Sequence, residues 1–417
     1  MTERPSPAAA APAVSARWRL LAILTTSYGA GAFGMLGLSP LSPSLVDGFG
    51  LTRFQVAFII PSIYLAGLLF SLPGGRIADR LGVRPALLGG LAIGALGLLA
   101  AALAPSFPAF LLCLFTAGAG WSVVNPALGK AIIDVFPVRE RGIAMGVKQM
   151  GLTVGGFISA LALPAVAAAL GWRHAIGACA VIVALPVALG WRPLAAFRAG
   201  GQSAGASIDR GADEAGSSWW WARRPALVIF FASGFVLGMV QGAVLSYLPL
   251  FTIQALGFDK IGAGLLVAAS QAGGAVSRLA LGAASDRWFA GRRSRWLAFT
   301  GALGASIFGV YAGWPAAAPV AAGLLAFAAG VGAYGWVGIF FVISAEAGGA
   351  RQAGLLSGVA FASIVLGLLV GPPVFGLLLE GFDSYATAWA VFAALSGLVA
   401  LISLLAGPAI DRESQRL

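Results

Sequence analysis

Ionisable side chains are scarce in this sequence. Only 10% of its 417 residues are charged, with 15 acids, one histidine and two cysteines. Water-soluble chains run near a quarter charged, so an ordinary soluble domain is excluded. One histidine and two cysteines supply neither a structural zinc site nor a disulfide framework, and no cofactor or metal is implied. Cys113, Cys179 and His174 read as packing or interface residues. No Gly-x-x-x-x-Gly-Lys-Ser/Thr loop appears, which argues against an ATP-driven pump.

Apolar residues fill the space instead. They make up 59% of the chain, mean hydropathy is +0.92, and 59 glycines suit close helix contacts in lipid. At roughly 20 residues per membrane helix, this composition allows about twelve spans. Hydropathy places the first six at 18–40, 53–73, 85–104, 108–134, 142–170 and 174–191. The other six fall at 226–251, 261–282, 296–314, 320–344, 354–379 and 387–406. With no water in the bilayer core and no period-2 alternation, these runs are expected to be helices. The first is too long for a signal peptide and stands as span one.

The expected fold is therefore all-α and polytopic, with twelve transmembrane helices. Its parts are an N-terminal tail (1–17), a six-helix bundle (18–191), a linker (192–224), a second six-helix bundle (225–406) and a C-terminal tail (407–417). The linker contains GGQSAGASIDRGADEAGSS and reads as flexible. Trp219, Trp220 and Trp221, followed by Arg223 and Arg224, read as an anchor at the lipid headgroups.

A net charge of +11 would suit nucleic acid only if it formed a basic patch on a soluble face. It does not. Of the 26 Lys and Arg residues, 20 fall on the tails and loops of one side, while the opposite loops hold Arg53, Arg173 and Lys260. That asymmetry predicts a multi-pass protein of a bacterial-type inner membrane with both termini cytoplasmic. The remaining three, Lys130, Lys148 and Arg278, lie inside spans, where no acid lies deep. Asp134 comes nearest, at the cytoplasmic end of span four.

An internal repeat is present. Gly75, Asp79 and Arg80 recur as Gly282, Asp286 and Arg287 at an offset of 207. A second register, offset 212, matches Gly118, Gly120, Gly142, Gly146 and Gly155 with Gly330, Gly332, Gly354, Gly358 and Gly367. Such matches point to a duplicated six-helix unit. The stretch Gly75-x-x-Ala78-Asp79-Arg80-x-Gly82, set in the loop after span two and repeated after span eight, resembles the signature of the major facilitator superfamily. Val83 stands where a basic residue is usual, and Arg84 follows it. The resemblance implies two pseudo-symmetric six-helix bundles around a cavity that opens alternately to each side. It also implies that Asp79 meets the start of span eleven, which holds the cytoplasmic side shut. Gly75, Asp79, Arg80, Gly82, Arg84, Gly282, Asp286 and Arg287 are the expected gating residues.

Spans three, six, nine and twelve offer almost nothing to a polar solute, and the resemblance implies that they face lipid while the others line the cavity. Near the middle of the others sit Tyr28, Tyr64, Trp121, Asn125, Gln241, Gln271, Tyr334 and Trp336. Each alone could be packing; together they would make an aromatic-walled, amide-bearing pocket. Ionisable groups in a membrane are costly and usually functional. Arg278 resembles the arginine of the monocarboxylate and oxalate branches, and a guanidinium binds carboxylate bidentately. It lies roughly 6 Å from the cytoplasmic end, so snorkelling or a pair with Asp286 is the competing reading. Lys148, roughly 9 Å in and beside Gln149, is the second expected anion contact. Lys130 lies one turn from Asp134, and an intrahelical pair is the plain expectation.

Cations without inner acids favour anions and disfavour cationic drugs. The function expected is secondary transport, not catalysis: a small, monocarboxylate-like organic anion moved by alternating access, coupled to proton symport. Asp134, with Lys130, or the substrate carboxylate itself is the expected proton site. Export of neutral or amphiphilic compounds is the alternative. Small anionic solute, protons and membrane lipid are the expected partners, with no nucleic acid, and the chain is expected to act as a monomer.

Overall fold

A computed structural model describes residues 14–190, 220–288, 294–313 and 318–415, and every regular element among them is helical. The first half comprises α1 (Val14–Leu36), α2 (Leu38–Phe49), α3 (Ile59–Leu81), α4 (Val83–Ala102), α5 (Phe107–Val135), α6 (Val138–Leu170) and α7 (Trp172–Gly190). The second comprises α8 (Pro225–Gln254), α9 (Lys260–Trp288), α10 (Ser294–Gly313), α11 (Pro319–Tyr334), α12 (Val337–Phe382), α13 (Tyr385–Leu405) and α14 (Gly407–Gln415). By length and composition, ten helical stretches can cross a membrane, and an eleventh is added if the bent run through α3 counts as one span. The 29-residue α9 is long enough as well, but Gln271, Ser277 and Arg278 dilute its apolarity. The expected linker lies mostly outside the described residues, Trp219 included. Beyond it Trp221 packs edge-on against Phe231.

Several helices run past their hydropathy limits, because apolarity marks where lipid ends and not where a helix ends. Span one continues through α2 to Phe49. Pro40 falls in the first turn of α2, where a missing N–H costs nothing, so it does not end the span. The GGRIADR signature is not a loop either: α3 carries it in its last turns, and the connection narrows to Gly82 at φ 85°, ψ 166°. Only glycine adopts that backbone without strain. Span ten is two pieces, α11 and the start of α12, joined at Gly335 and Trp336. Gly349, at φ 56°, breaks α12 where span eleven begins. The expected C-terminal tail is largely α14. Its Asp411, 8% exposed, accepts hydrogen bonds from Ser294 N (3.0 Å) and Ser294 Oγ (2.7 Å), capping the start of α10.

The duplication is visible in the packing. A Cβ on Gly118 would lie 2.4 Å from the Ile63 carbonyl oxygen, and one on Gly330 would lie 1.8 Å from that of Ser270. Likewise Gly155 faces the Gly29 oxygen at 2.2 Å, and Gly367 faces that of Phe235 at 2.1 Å. Thus α5 touches α3 as α11 touches α9, and α6 touches α1 as α12 touches α8. Close backbone approach at small residues is how membrane helices associate. Gly146, Gly354 and Gly358 match in sequence too, yet each has open space beside it.

The halves meet where α6 lies on α9 and α3 on α12, contacts that the two-fold relation exchanges. In contrast, α4 packs on α5 and α7, and α10 on α13, within their own halves. Leu96, Leu189, Phe299 and Leu405 on these helices are exposed, as expected of lipid-facing spans three, six, nine and twelve.

Candidate functional site

Between the halves lies a cavity of about 70 Å³, enough for a handful of waters at roughly 10–15 Å³ each. Five expected residues line it: Tyr64 from α3, Gln241 from α8, Gln271 and Arg278 from α9, and Tyr334 from α11. Leu36, Leu152, Thr153, Leu245, Gly274 and Ala275 complete the wall and were not singled out by sequence, since nothing distinguishes them from packing residues. Arg278, Gly274 and Gln271 are spaced four and three residues apart, so one face of α9 presents all three. Gly274 leaves room for the Tyr334 ring, which would lie 2.6 Å from a Cβ there. The Arg278 Nε donates to the Tyr334 carbonyl oxygen at 3.3 Å, and Tyr64 and Tyr334 line the cavity with it. No carboxylate pairs with it among the described residues. The side chain of Asp286, its competing partner by sequence, lies outside them, as does that of Arg287.

Four other expected residues form a second cluster in the first half. Lys148, 6% exposed, donates to Asn125 Oδ1 at 2.7 Å and sits 4.9 Å from the centre of the Tyr28 ring. Tyr28 stacks on Trp121 with centroids 5.0 Å apart. The cluster adjoins the cavity, because Lys148 is one turn from Leu152 on α6 and Tyr28 lies near Arg278 and Gln149. Trp336 belongs to neither. It is fully buried, donates to the Ala333 carbonyl at 2.8 Å and packs edge-on against Phe340, wedging the α11–α12 join.

Lys130 departs from expectation. Its Nζ reaches Asp79 Oδ1 at 3.0 Å across to α3, in place of a pair down its own helix to Asp134. The helical extension of α3 makes this possible by carrying Asp79 alongside α5. In this conformation Asp79 pairs within its own half, and the side chain of Arg351, just before span eleven, lies outside the described residues. Gly75 has no close neighbour to accommodate, Arg80 and Asp134 are exposed, and Arg84 stands in the first turn of α4.

The face opposite the termini holds contacts that sequence reasoning missed. Lys260 Nζ lies 2.6 Å from Asp47 Oδ2, and Arg53 pairs with Asp383. The Tyr247 hydroxyl donates to the Arg53 carbonyl at 2.8 Å, and Ser39 Oγ donates to the Leu245 carbonyl. All four join the first half to the second. Arg173 instead caps the end of α4, donating to the carbonyls of Ala102 (2.9 Å) and Ala104 (3.0 Å). The available signal was that Arg53 and Lys260 break the charge asymmetry.

The chain matches the family model for the Major Facilitator Superfamily over residues 21–372. A probable sulfoacetate transporter of Cupriavidus necator is 26% identical over 431 aligned residues, covering 96% of each chain. A 3-(3-hydroxy-phenyl)propionate transporter of Escherichia coli is 28% identical over 246 residues, 58% of this chain and 59% of that one. Among solved structures, an inward-facing, unoccupied bacterial homologue of the human lysosomal transporter Spinster aligns at TM-score 0.73 and 16% identity, over 97% of this chain and 98% of that one. A nucleoside transporter aligns at 0.74 and 15%, over 93% and 99%. At those identities the structures speak to fold alone. Fold, spans and family model agree: this multi-pass membrane protein belongs to the Major Facilitator Superfamily, whose members are transporters and not enzymes.

Proposed function

We propose that the protein carries a small, carboxylate-bearing organic anion across the bacterial inner membrane by alternating access, acting as a monomer. The observation that carries this reading is Arg278, a cavity-lining guanidinium with no carboxylate partner among the described residues. Such a group is costly in a membrane unless an anion completes it, and its planar fork suits a carboxylate. Two relatives named for sulfoacetate and hydroxyphenylpropionate transport support the same solute class.

The contacts that close the face opposite the termini support an inward-facing state, with residues 18–191 and 225–406 as the two moving bundles. Gly75, Asp79, Arg80, Gly82, Arg84, Gly282, Asp286 and Arg287 then form the cytoplasmic gate, and the Asp79–Lys130 pair marks its open state. Proton symport completes the cycle, with Asp134 beside Lys130, or the substrate carboxylate, as the proton site.

Uptake into proteoliposomes under an imposed pH gradient tests this, using monocarboxylates, dicarboxylates and inorganic anions with Arg278→Ala and Lys148→Ala alongside. Gradient-dependent uptake of an organic anion, lost in Arg278→Ala, is expected. Export of a lipophilic cation with no anion carried would end the reading.

A further inference from the structure

We infer that the substrate carries two anionic groups on a short spacer, one met by Arg278 of α9 and the other by Lys148 of α6. This rests on the anion reading above and names the class of anion. Each half contributes one cation inside the membrane, Lys148 buried and Arg278 partly buried on the cavity wall, and neither has an acidic partner among the described residues. Arg278 uses its Nε on the Tyr334 carbonyl, which leaves the outer guanidinium nitrogens without a protein acceptor among those residues. Lys148 has three donors, and its contacts are a neutral amide and a neutral ring.

Charge bookkeeping then selects the ligand. Two desolvated cations in a membrane protein are each costly, and a monoanion offsets one of them. A dianion offsets both. Lys148 stands one turn behind the cavity wall: Leu152, four residues along α6, lines the cavity with Arg278, and the Lys148 ammonium sits 4.9 Å from the Tyr28 ring, which is in electrostatic range of Arg278. A cavity of about 70 Å³ limits the spacer to a few atoms. Gln241, 8% exposed, lines the same space with its amide oxygen unpartnered, a further polar group awaiting a ligand.

The test is calorimetric binding to the purified full chain with probes matched in backbone length: malonate against propionate, sulfoacetate against propionate, and succinate against butyrate. In each pair the dianion is expected to bind at least about tenfold tighter, the worth of one added charge-assisted contact. Lys148→Met should shrink that advantage, so that the ratio of dianion to monoanion affinity measured in the variant falls to within about twofold of unity. Equal affinity within the wild-type pairs overturns the inference and needs no variant to fold. So does a Lys148→Met protein that loses monoanion and dianion affinity in the same proportion, since both cations would then grip one head. Tighter binding of monoanions leaves the anion reading standing and removes only the second head. Binding of neither class, with a neutral amphiphile bound instead, removes both.

Discussion

The Lys260 ammonium and the Asp47 carboxylate, 2.6 Å apart, tie α9 to α2 across the two halves of the protein. Their side chains are 39% and 66% exposed, and exposed pairs contribute only about 0–1 kcal/mol. A contact of that strength can hold a closed face and still release it. The Arg53–Asp383 pair beside α3 has the same character.

Asp47→Asn should therefore let that face open more often, by up to about fivefold, the equivalent of about 1 kcal/mol. A cysteine at Ser42, buried in α2, reports it through thiol labelling in a protein lacking Cys113 and Cys179. Exchanging the charges, Asp47→Lys with Lys260→Asp, should return labelling to its original rate. An unchanged rate in Asp47→Asn would show that the pair does not hold the face.

Asp79 and Lys130 are expected to act as one unit. Asp79→Asn should leave expression intact and slow transport, Lys130→Gln should slow it similarly, and the double variant should be no slower than either alone. Initial uptake rates normalised to protein amount decide this, because residues in one ion pair are not additive. Fully multiplicative losses would mean that the two act separately.

The repeat glycines should divide into two groups. Gly155→Ala and Gly367→Ala push a methyl group to within 2.2 and 2.1 Å of backbone oxygen, so the helices must separate. Each should cost about 1–3 kcal/mol, read as a lower Tm in detergent. Gly146→Ala and Gly358→Ala, with open space on both, should leave Tm unchanged or slightly raised.

Trp336→Ala removes a fully buried indole, and its effect should fall on stability, about 3–5 kcal/mol, and not on recognition. The fraction that folds should keep the wild-type KM. A raised KM with unchanged Tm would return Trp336 to the substrate site.

The span count and the duplication were legible because lipid imposes long apolar runs, and close helix contacts impose glycine at fixed registers. Arg278, Tyr64, Gln241, Gln271 and Tyr334 were legible as a cavity set because polar groups stand out among apolar neighbours. Trp336 misled for the same reason: an indole at mid-span looks alike whether it faces a cavity or donates to Ala333. The partner of Lys130 was hidden by the end of α3. Hydropathy stopped that helix at Pro73, and only its continuation to Leu81 brings Asp79 across to α5.

The Tyr247 hydroxyl donates to the backbone of residue 53 and not to its side chain. Any amino acid can present that carbonyl, so this link survives sequence drift at position 53. The two charge pairs cannot do so, because losing either partner ends them. Diverging copies of this chain should therefore change Asp47 and Lys260 together, and Arg53 and Asp383 together, while a tyrosine at 247 persists beside a variable position 53.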